Sequence, residues 1–147
     1  MKNYILIIGL GSMGKRRVRN LQSLGIKNII GFDKREDRRV ESAEKYGINV
    51  VNSFEEAMAN FKIDAFVISL PPDIHHIYMK IAIKSSIPAF IEASVVDTAF
   101  EAMIAESKEK GICLAPSCTM FFHPAIKKIA KIVKNEELMM FKHDGFW

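Results

Sequence analysis

Short apolar runs alternate along this chain with longer segments whose apolar positions recur every three to four residues. Tyr4–Ile8 is the first run, rich in β-branched residues and of strand length. Comparable runs follow at Asn28–Phe32, Asn49–Val51, Ala65–Ile68 (opened by Asp64), Ala89–Ile91 and Ile112–Ala115. The intervening segments read as helices at Gly14–Leu24, Glu36–Tyr46, Ser53 to about Phe61, Asp73–Ser85 and Thr98–Gly111. An unbroken apolar run such as Ala65–Ile68 fits a strand covered on both faces. The strand–helix alternation repeats five times, which predicts an α/β fold built on a doubly wound parallel sheet in three layers.

Local signals set the boundaries. Val18, Leu21 and Gly25 share one face of the first helix, with Arg16 and Arg19 pointing elsewhere, and Gly25 and Gly47 stop helices. Ser53–Glu56 and Thr98–Glu101 have the form of capping boxes, in which hydroxyl and carboxylate satisfy the first helical N–H groups reciprocally. Ser69-Leu70-Pro71-Pro72 breaks the fourth strand, since two prolines exclude regular pairing or helix there. After Pro116 the pattern changes. Pro124 suits a first helical turn, Ile126, Ile129, Ala130 and Val133 form an apolar stripe, and Lys127, Lys128, Lys131 and Lys134 flank it. Leu138–Phe141 reads as a strand with no partner in the chain. The apolar Phe146 and Trp147 point to a continuation or to a partner that covers them.

The first strand runs into Gly9, Gly11 and Gly14, spaced as G-x-G-x-x-G. Each glycine has a physical task. Gly9 permits the tight turn, Gly11 lets a pyrophosphate approach the backbone, and Gly14 lets the helix pack closely on the sheet. The helix that follows offers unpaired N–H groups and about half a positive charge to an anion. Asp33 ends the second strand 19 residues beyond Gly14, where a carboxylate accepts hydrogen bonds from ribose hydroxyls. A dinucleotide site of Rossmann type is therefore expected, with Gly9, Gly11, Ser12, Met13, Gly14 and Asp33 in it. Asp33 favours NAD because it repels a 2′-phosphate. Lys34 and Arg35 partly offset that repulsion, which leaves NADP open. The competing reading of Asp33 is a loop residue capping the next helix.

Composition narrows the class without changing the picture. With 49% apolar and 26% charged residues in 147, the chain is an ordinary globular one. No apolar run approaches the roughly 18 residues of a membrane span. The run after Lys2 is too short for a signal peptide and has no cleavage site, so a cytoplasmic protein is expected. Net charge is +4. Lys15, Arg16, Arg17 and Arg19, and Lys34, Arg35, Arg38 and Arg39, form two basic clusters, of which some favour phosphates and most face water. No recognition motif or aromatic interleaving supports a nucleic-acid partner. Cys113 and Cys118 lack a metal-type partner set and read as reduced thiols, so no metal site is expected.

GLGSMG, Gly31–Asp33 and above all Ser69–Ser94, SLPPDIHHIYMKIAIKSSIPAFIEAS, resemble the Gfo/Idh/MocA oxidoreductases, which include glucose–fructose oxidoreductase and inositol dehydrogenase. The resemblance covers essentially the whole chain. It matches Pro71 to the family's loop proline, His75 to the histidine that opens a helix, and Glu92 to the glutamate of a Glu-Lys-Pro motif. Taking Pro72 as the loop proline moves the histidine to His76. The resemblance implies that Ser69, Leu70, Pro71, His75 and Glu92 also belong to the cofactor site, with His75 orienting the nicotinamide ribose or carboxamide. Each has a plain alternative: a helix N-terminal residue for His75, a salt-bridged loop carboxylate for Glu92. His123 is assigned to helix capping, and Ser94 is too generic to assign.

Two departures from the family matter. The family lysine, which helps proton transfer, is replaced by Ala93, and a methyl group can neither polarise nor deprotonate a hydroxyl. The family's second domain, with its substrate site, oligomer interface and catalytic Asp and His, would begin where this chain ends. The expectation is thus an NAD(P)-binding domain over residues 1–118 and, over 119–147, a crossover helix and the start of a substrate and oligomerisation domain. The parent would be a dehydrogenase acting on a sugar or cyclitol hydroxyl, possessing its own oligomer interface, and the chain by itself would bind cofactor and catalyse little. The alternative is a non-catalytic dinucleotide-binding module acting through a partner.

Overall fold

A computed structural model describes residues 2–93, 100–118 and 122–133. It divides into two compact units, residues 1–117 and 118–147. In the first, six strands form one parallel sheet in the order β3-β2-β1-β4-β5-β6. The strands are β1 (Asn3–Ile8), β2 (Ile29–Phe32), β3 (Asn49–Val51), β4 (Lys62–Ile68), β5 (Ala89–Ile91) and β6 (Leu114–Pro116). The helices between them are α1 (Ser12–Ser23), α2 (Glu36–Tyr46), α3 (Phe54–Asn60), α4 (His75–Lys84) and α5 (Phe100–Glu109). The order reverses direction between β1 and β4, the crevice where open α/β sheets take their ligands. The second unit holds α6 (Pro124–Val133), which opens on Pro124.

Strand alternation divides the core between the two faces of the sheet. Leu6, Ile8, Phe66, Ile68, Ala89 and Ile91 point to one face and pack with Phe54, Ala57, Met79, Ala82, Ile83 and Met103 of α3, α4 and α5. Ile7, Ile29 and Val67 point to the other and meet Leu10 and Val18. Full burial of one such aliphatic side chain contributes roughly 1.5–3 kcal/mol, so β1, buried on both faces from Leu6 to Ile8, anchors the sheet. On the α1 side a groove of about 440 Å³ remains over β4, β5 and β6, walled by Leu21, Leu24, Val67, Phe90 and Ala115.

The α2, β3 and β5 boundaries agree with the sequence reading, and α2 stops at Gly47 with φ +63°. Several others differ by one or two residues, and four of these differences have a clear local reason. Helix α1 begins at Ser12 rather than Gly14, because Gly11 is its N-cap and accepts from the Lys15 N–H at 2.9 Å. Strand β4 begins at Lys62 rather than Asp64. A register shift pairs Tyr4 with Ile63 and Ile5 with Ala65, leaving Asp64 as the extra residue while Ile63 is buried. The segment expected as one helix from Asp73 is a 3-10 turn at Pro72–Ile74 followed by α4. Strand β6 starts at Leu114 rather than Ile112, since the Ile112 N–H turns back to Ser107 O at 2.8 Å to close α5. It ends on Pro116, and this is the sheet's edge strand, where a missing N–H is tolerated.

At α3, Ser53 Oγ accepts from the Glu56 N–H at 3.0 Å, but the Glu56 carboxylate accepts from Asn52 N–H rather than from Ser53. The reciprocal box is thus displaced by one residue. Thr98, the Leu138–Phe141 run, Phe146 and Trp147 lie outside the described residues, as does Ser94. Among the described residues no helix is long and apolar enough to cross a membrane.

Candidate functional site

The site is built where β1 hands over to α1. The Gly9 N–H donates to Phe32 O at 2.7 Å, and its φ of +96° turns the chain out of the strand. A Cβ on Gly9 would lie 2.5 Å from Ser69 O, so this glycine also admits the end of β4. A Cβ on Gly14 would lie 1.8 Å from Gly9 O. The third glycine therefore lets the helix close on the loop itself rather than on the sheet face. Gly11 differs from both: the nearest atom to a Cβ there is Arg38 Nη1, at 3.6 Å. Its open side faces a cavity of about 440 Å³ that includes Ser12, Met13, Ser69, Leu70, Pro71, Glu92 and Ala93. Among the described residues no side chain caps α1. A helix start left uncapped beside an open cavity is suited to an anion.

Asp33 is only 6% exposed. Its Oδ2 accepts from Leu10 N–H at 2.8 Å and its Oδ1 from Arg35 N–H at 2.9 Å. Arg38 Nη1 reaches the same Oδ2 at 3.3 Å. The carboxylate thus ties the glycine loop to the turn after β2. It does not cap α2, whose N-cap is Arg35. Gly9, Asp33, Lys34, Arg35 and Leu70 line a second cavity, of about 270 Å³, walled on its other side by Ile74, Ile77 and Tyr78. Burial pushes the Tyr78 phenol above its ordinary value, with the Glu55 charge adding to the effect.

The other end of the site is closed inward. His75 is fully buried, and its Nε2 lies 2.6 Å from Leu70 O. Because a carbonyl only accepts, that nitrogen carries the proton, and the ring fastens the Ser69–Pro72 loop to α4. Glu92 extends the β5 pairing through its N–H to Ile68 O at 3.0 Å. Its carboxylate accepts from Arg17 in a two-point pair, Nε–Oε1 2.5 Å and Nη2–Oε2 2.9 Å. Arg17 also lies 4.7 Å from the centre of the Phe90 ring and 3.4 Å from Ser117 Oγ. Glu92 holds the Arg17 guanidinium above its ordinary basicity, against the opposing effect of burial. The Ser69 N–H donates to Ile8 O at 2.8 Å, while its buried Oγ has no hydrogen-bond partner among the described residues.

The fold brings Gly9, Gly11, Ser12, Met13, Asp33, Lys34, Arg35, Ser69, Leu70, Pro71 and Glu92 to two cavities, with Gly14 buried beneath the loop against Gly9 O and His75 buried rather than lining either cavity. Two residues were hidden among the basic clusters. Arg17 is one helical turn beyond Gly14, and Arg38 is in the first turn of α2 and lines both cavities. The remaining cluster charges act locally. Lys15 pairs with Glu41, Arg19 Nη1 donates to the Tyr46 hydroxyl at 3.1 Å, and Arg16 is exposed.

Residues 4–116 match the profile of the Gfo/Idh/MocA group, described as an oxidoreductase family with an NAD-binding Rossmann fold. No curated protein matches by sequence. Among solved structures, GenD2 from gentamicin A biosynthesis, in complex with NAD, is 18% identical with a TM-score of 0.78, covering 92% of this chain and 40% of its own. The myo-inositol 2-dehydrogenase from Lactobacillus plantarum is 20% identical with a TM-score of 0.79, covering 90% and 41%. KijD10, a 3-ketoreductase from Actinomadura kijaniata in complex with NADP and TDP-benzene, is 18% identical with a TM-score of 0.76, covering 91% and 42%. At these identities the likeness is one of fold, and the chain spans about two fifths of the length of each of these structures.

Proposed function

The chain belongs to the Gfo/Idh/MocA oxidoreductase family, and from that premise we propose that it holds NAD(P) for a dehydrogenase acting on a sugar or cyclitol hydroxyl. The observation that carries this reading is the contrast among the three glycines. Gly9 and Gly14 are closed by backbone, whereas Gly11 opens onto the larger cavity. That is the shape a pyrophosphate needs against backbone N–H groups. In this reading the first turn of α1 takes the pyrophosphate, and the adenosine half lies along Asp33 and the smaller cavity. The nicotinamide half lies along Ser69–Pro71 toward Glu92 and Ala93. His75, from behind the wall, fixes the Leu70 carbonyl and so the shape of that loop.

When bound, the nicotinamide supplies hydride exchange with a carbinol carbon. Ala93 supplies no base, and Glu92 is committed to Arg17. The proton acceptor is then sought outside residues 1–118, in a substrate and oligomerisation domain to which residues 119–147 lead. The sugar or cyclitol substrate is supported by the family resemblance and by the solved relatives' own names. A cytoplasmic location belongs to the same reading, with Cys113 and Cys118 as reduced thiols.

Titration of the chain with NADH and NADPH, followed by cofactor fluorescence and thermal unfolding, tests the proposal. Cofactor at about 100 times its dissociation constant should add roughly 2.7 kcal/mol of stability. Failure of both cofactors to bind would overturn it. The alanine at the lysine position and the Arg17–Glu92 pair favour a second reading, a non-catalytic dinucleotide-binding module acting through a partner. Hydride transfer by a protein carrying the second domain would exclude that alternative.

A further inference from the structure

We infer that Arg17 is a positioning residue: by clamping the Glu92 carboxylate it sets where the β5 edge of the site meets the nicotinamide half of a bound dinucleotide. This deepens the dinucleotide reading above and rests on it. Arg17 stands in the second turn of α1 and turns away from its cationic neighbours. Lys15 and Arg19 reach Glu41 and Tyr46 of α2, whereas Arg17 crosses to the ends of β5 and β6. Its Nε and Nη2 meet the two Glu92 oxygens, and Nη2 also lies 3.4 Å from Ser117 Oγ. The guanidinium lies 4.7 Å from the centre of the Phe90 ring. A two-point contact on one edge and an aromatic ring against the face fix the plane of the guanidinium, and with it the direction of the carboxylate.

What the clamp holds is a wall of the larger cavity. Glu92 and Ala93 line that cavity together with Ser69, Leu70 and Pro71. The Glu92 N–H donates to Ile68 O at 3.0 Å and the Ser117 N–H to Ile91 O at 2.7 Å, so backbone joins the ends of β4, β5 and β6. Arg17 ties this joined edge to α1, the helix whose first turn takes the pyrophosphate in the reading above. Arg17 itself lines neither cavity and borders the apolar groove on the α1 side. It therefore acts through Glu92 and not on the cofactor. Support of this kind decides placement, and a misplacement of about 1 Å can cost on the order of a hundredfold in reaction rate.

The test is titration of wild type, Arg17→Ala, Arg17→Lys, Glu92→Ala and the double variant with NADH and with ADP, which carries nothing of the nicotinamide half. Emission of the bound nicotinamide is recorded alongside affinity. Arg17→Ala should weaken NADH about fivefold or more relative to ADP and move the bound emission toward that of free NADH. Arg17→Lys keeps the charge but not the two-point contact, and should recover part of both. In the Glu92→Ala background, Arg17→Ala should change neither any further. Equal losses for NADH and ADP, an unchanged emission, or a full Arg17→Ala effect in that background overturns the inference and leaves the dinucleotide reading intact. So does a wild type whose bound NADH emits as free NADH does. Binding of neither ligand by the wild type overturns both. Should Arg17→Ala fail to fold, Arg17→Lys decides, and a wild-type ratio of affinities with wild-type emission overturns the inference.

Discussion

The two ends of the candidate site are built from the same kinds of residue but use them differently. At the end near β2, Gly11 is open, α1 has no side-chain cap among the described residues, and Arg38 presents a partly exposed guanidinium to both cavities. At the end near β5, the described imidazole and carboxylate are both engaged by the protein itself. His75 holds Leu70 O, Glu92 holds Arg17, and the remaining position, Ala93, has no polar atom on its side chain. One end keeps its donors for an incoming anion, and the other uses its charged groups to hold its own loops. Binding and reaction are therefore separable in this chain, and substitutions at the two ends should fail in different ways.

The largest effects should come from the glycines, and they should split. Gly14→Ala puts a methyl group into the Gly9 carbonyl and should cost about 3 kcal/mol or more, or prevent cooperative folding. Gly9→Ala adds a side chain at φ +96° and within 2.5 Å of Ser69 O, again a loss of folding stability. Gly11→Ala meets nothing closer than 3.6 Å and should change stability by less than about 0.5 kcal/mol, while lowering dinucleotide affinity at least tenfold. Denaturant melts and cofactor titrations on the three variants separate the outcomes. A Gly11→Ala protein that binds normally would remove the open cradle from the argument.

Next in size is the pair at the opposite end. The Arg17 and Glu92 side chains are 20% and 11% exposed, and removing one leaves the other charge largely buried. Arg17→Ala should cost about 2–3 kcal/mol, below the roughly 3–5 kcal/mol of a fully buried pair because of that residual exposure. Arg17→Ala combined with Glu92→Ala should cost less than the sum of the two single changes. A cost under about 0.5 kcal/mol for Arg17→Ala would mean that Glu92 is not committed, and the contrast between the ends would lose its main support.

These two residues also show what the sequence could and could not reveal. The strand runs, the glycine spacing and Asp33 were legible because each depends on neighbours along the chain. The doubly wound order followed from strand–helix alternation. Arg17 read as one of four clustered cations, because its partner lies 75 residues away and only the fold brings them together. The same applies to Arg38, five residues after Asp33, where the basic run obscured which cation faces the carboxylate. The bulge at Asp64 interrupts the alternation of β4, so the pattern of apolar residues alone places the strand start two residues late. The family resemblance picks out His75 but not its direction, since pointing into the protein depends on where the Leu70 carbonyl lies.

The smallest effect tests whether proximity to Asp33 is enough to bring a cation into the site. Arg35 is next but one to Asp33 in sequence, yet its guanidinium is bound to Asp37. That hydrogen-bonded pair holds the Asp37 carboxyl below the ordinary carboxylate range. A carboxyl whose folded value is lowered stabilises the fold above its unfolded value, and that contribution is lost as pH falls through the folded value. Arg35→Ala should therefore return Asp37 toward ordinary acidity in an NMR titration and remove this part of the acid-side loss. Both groups are exposed, so the change in stability should be slight. Its effect on dinucleotide affinity should be slight as well, because the Arg35 guanidinium engages its own carboxylate partner. A loss as large as that of Gly11→Ala would mean that the basic run at this edge of the sheet acts as a general positive field rather than through cations oriented one by one.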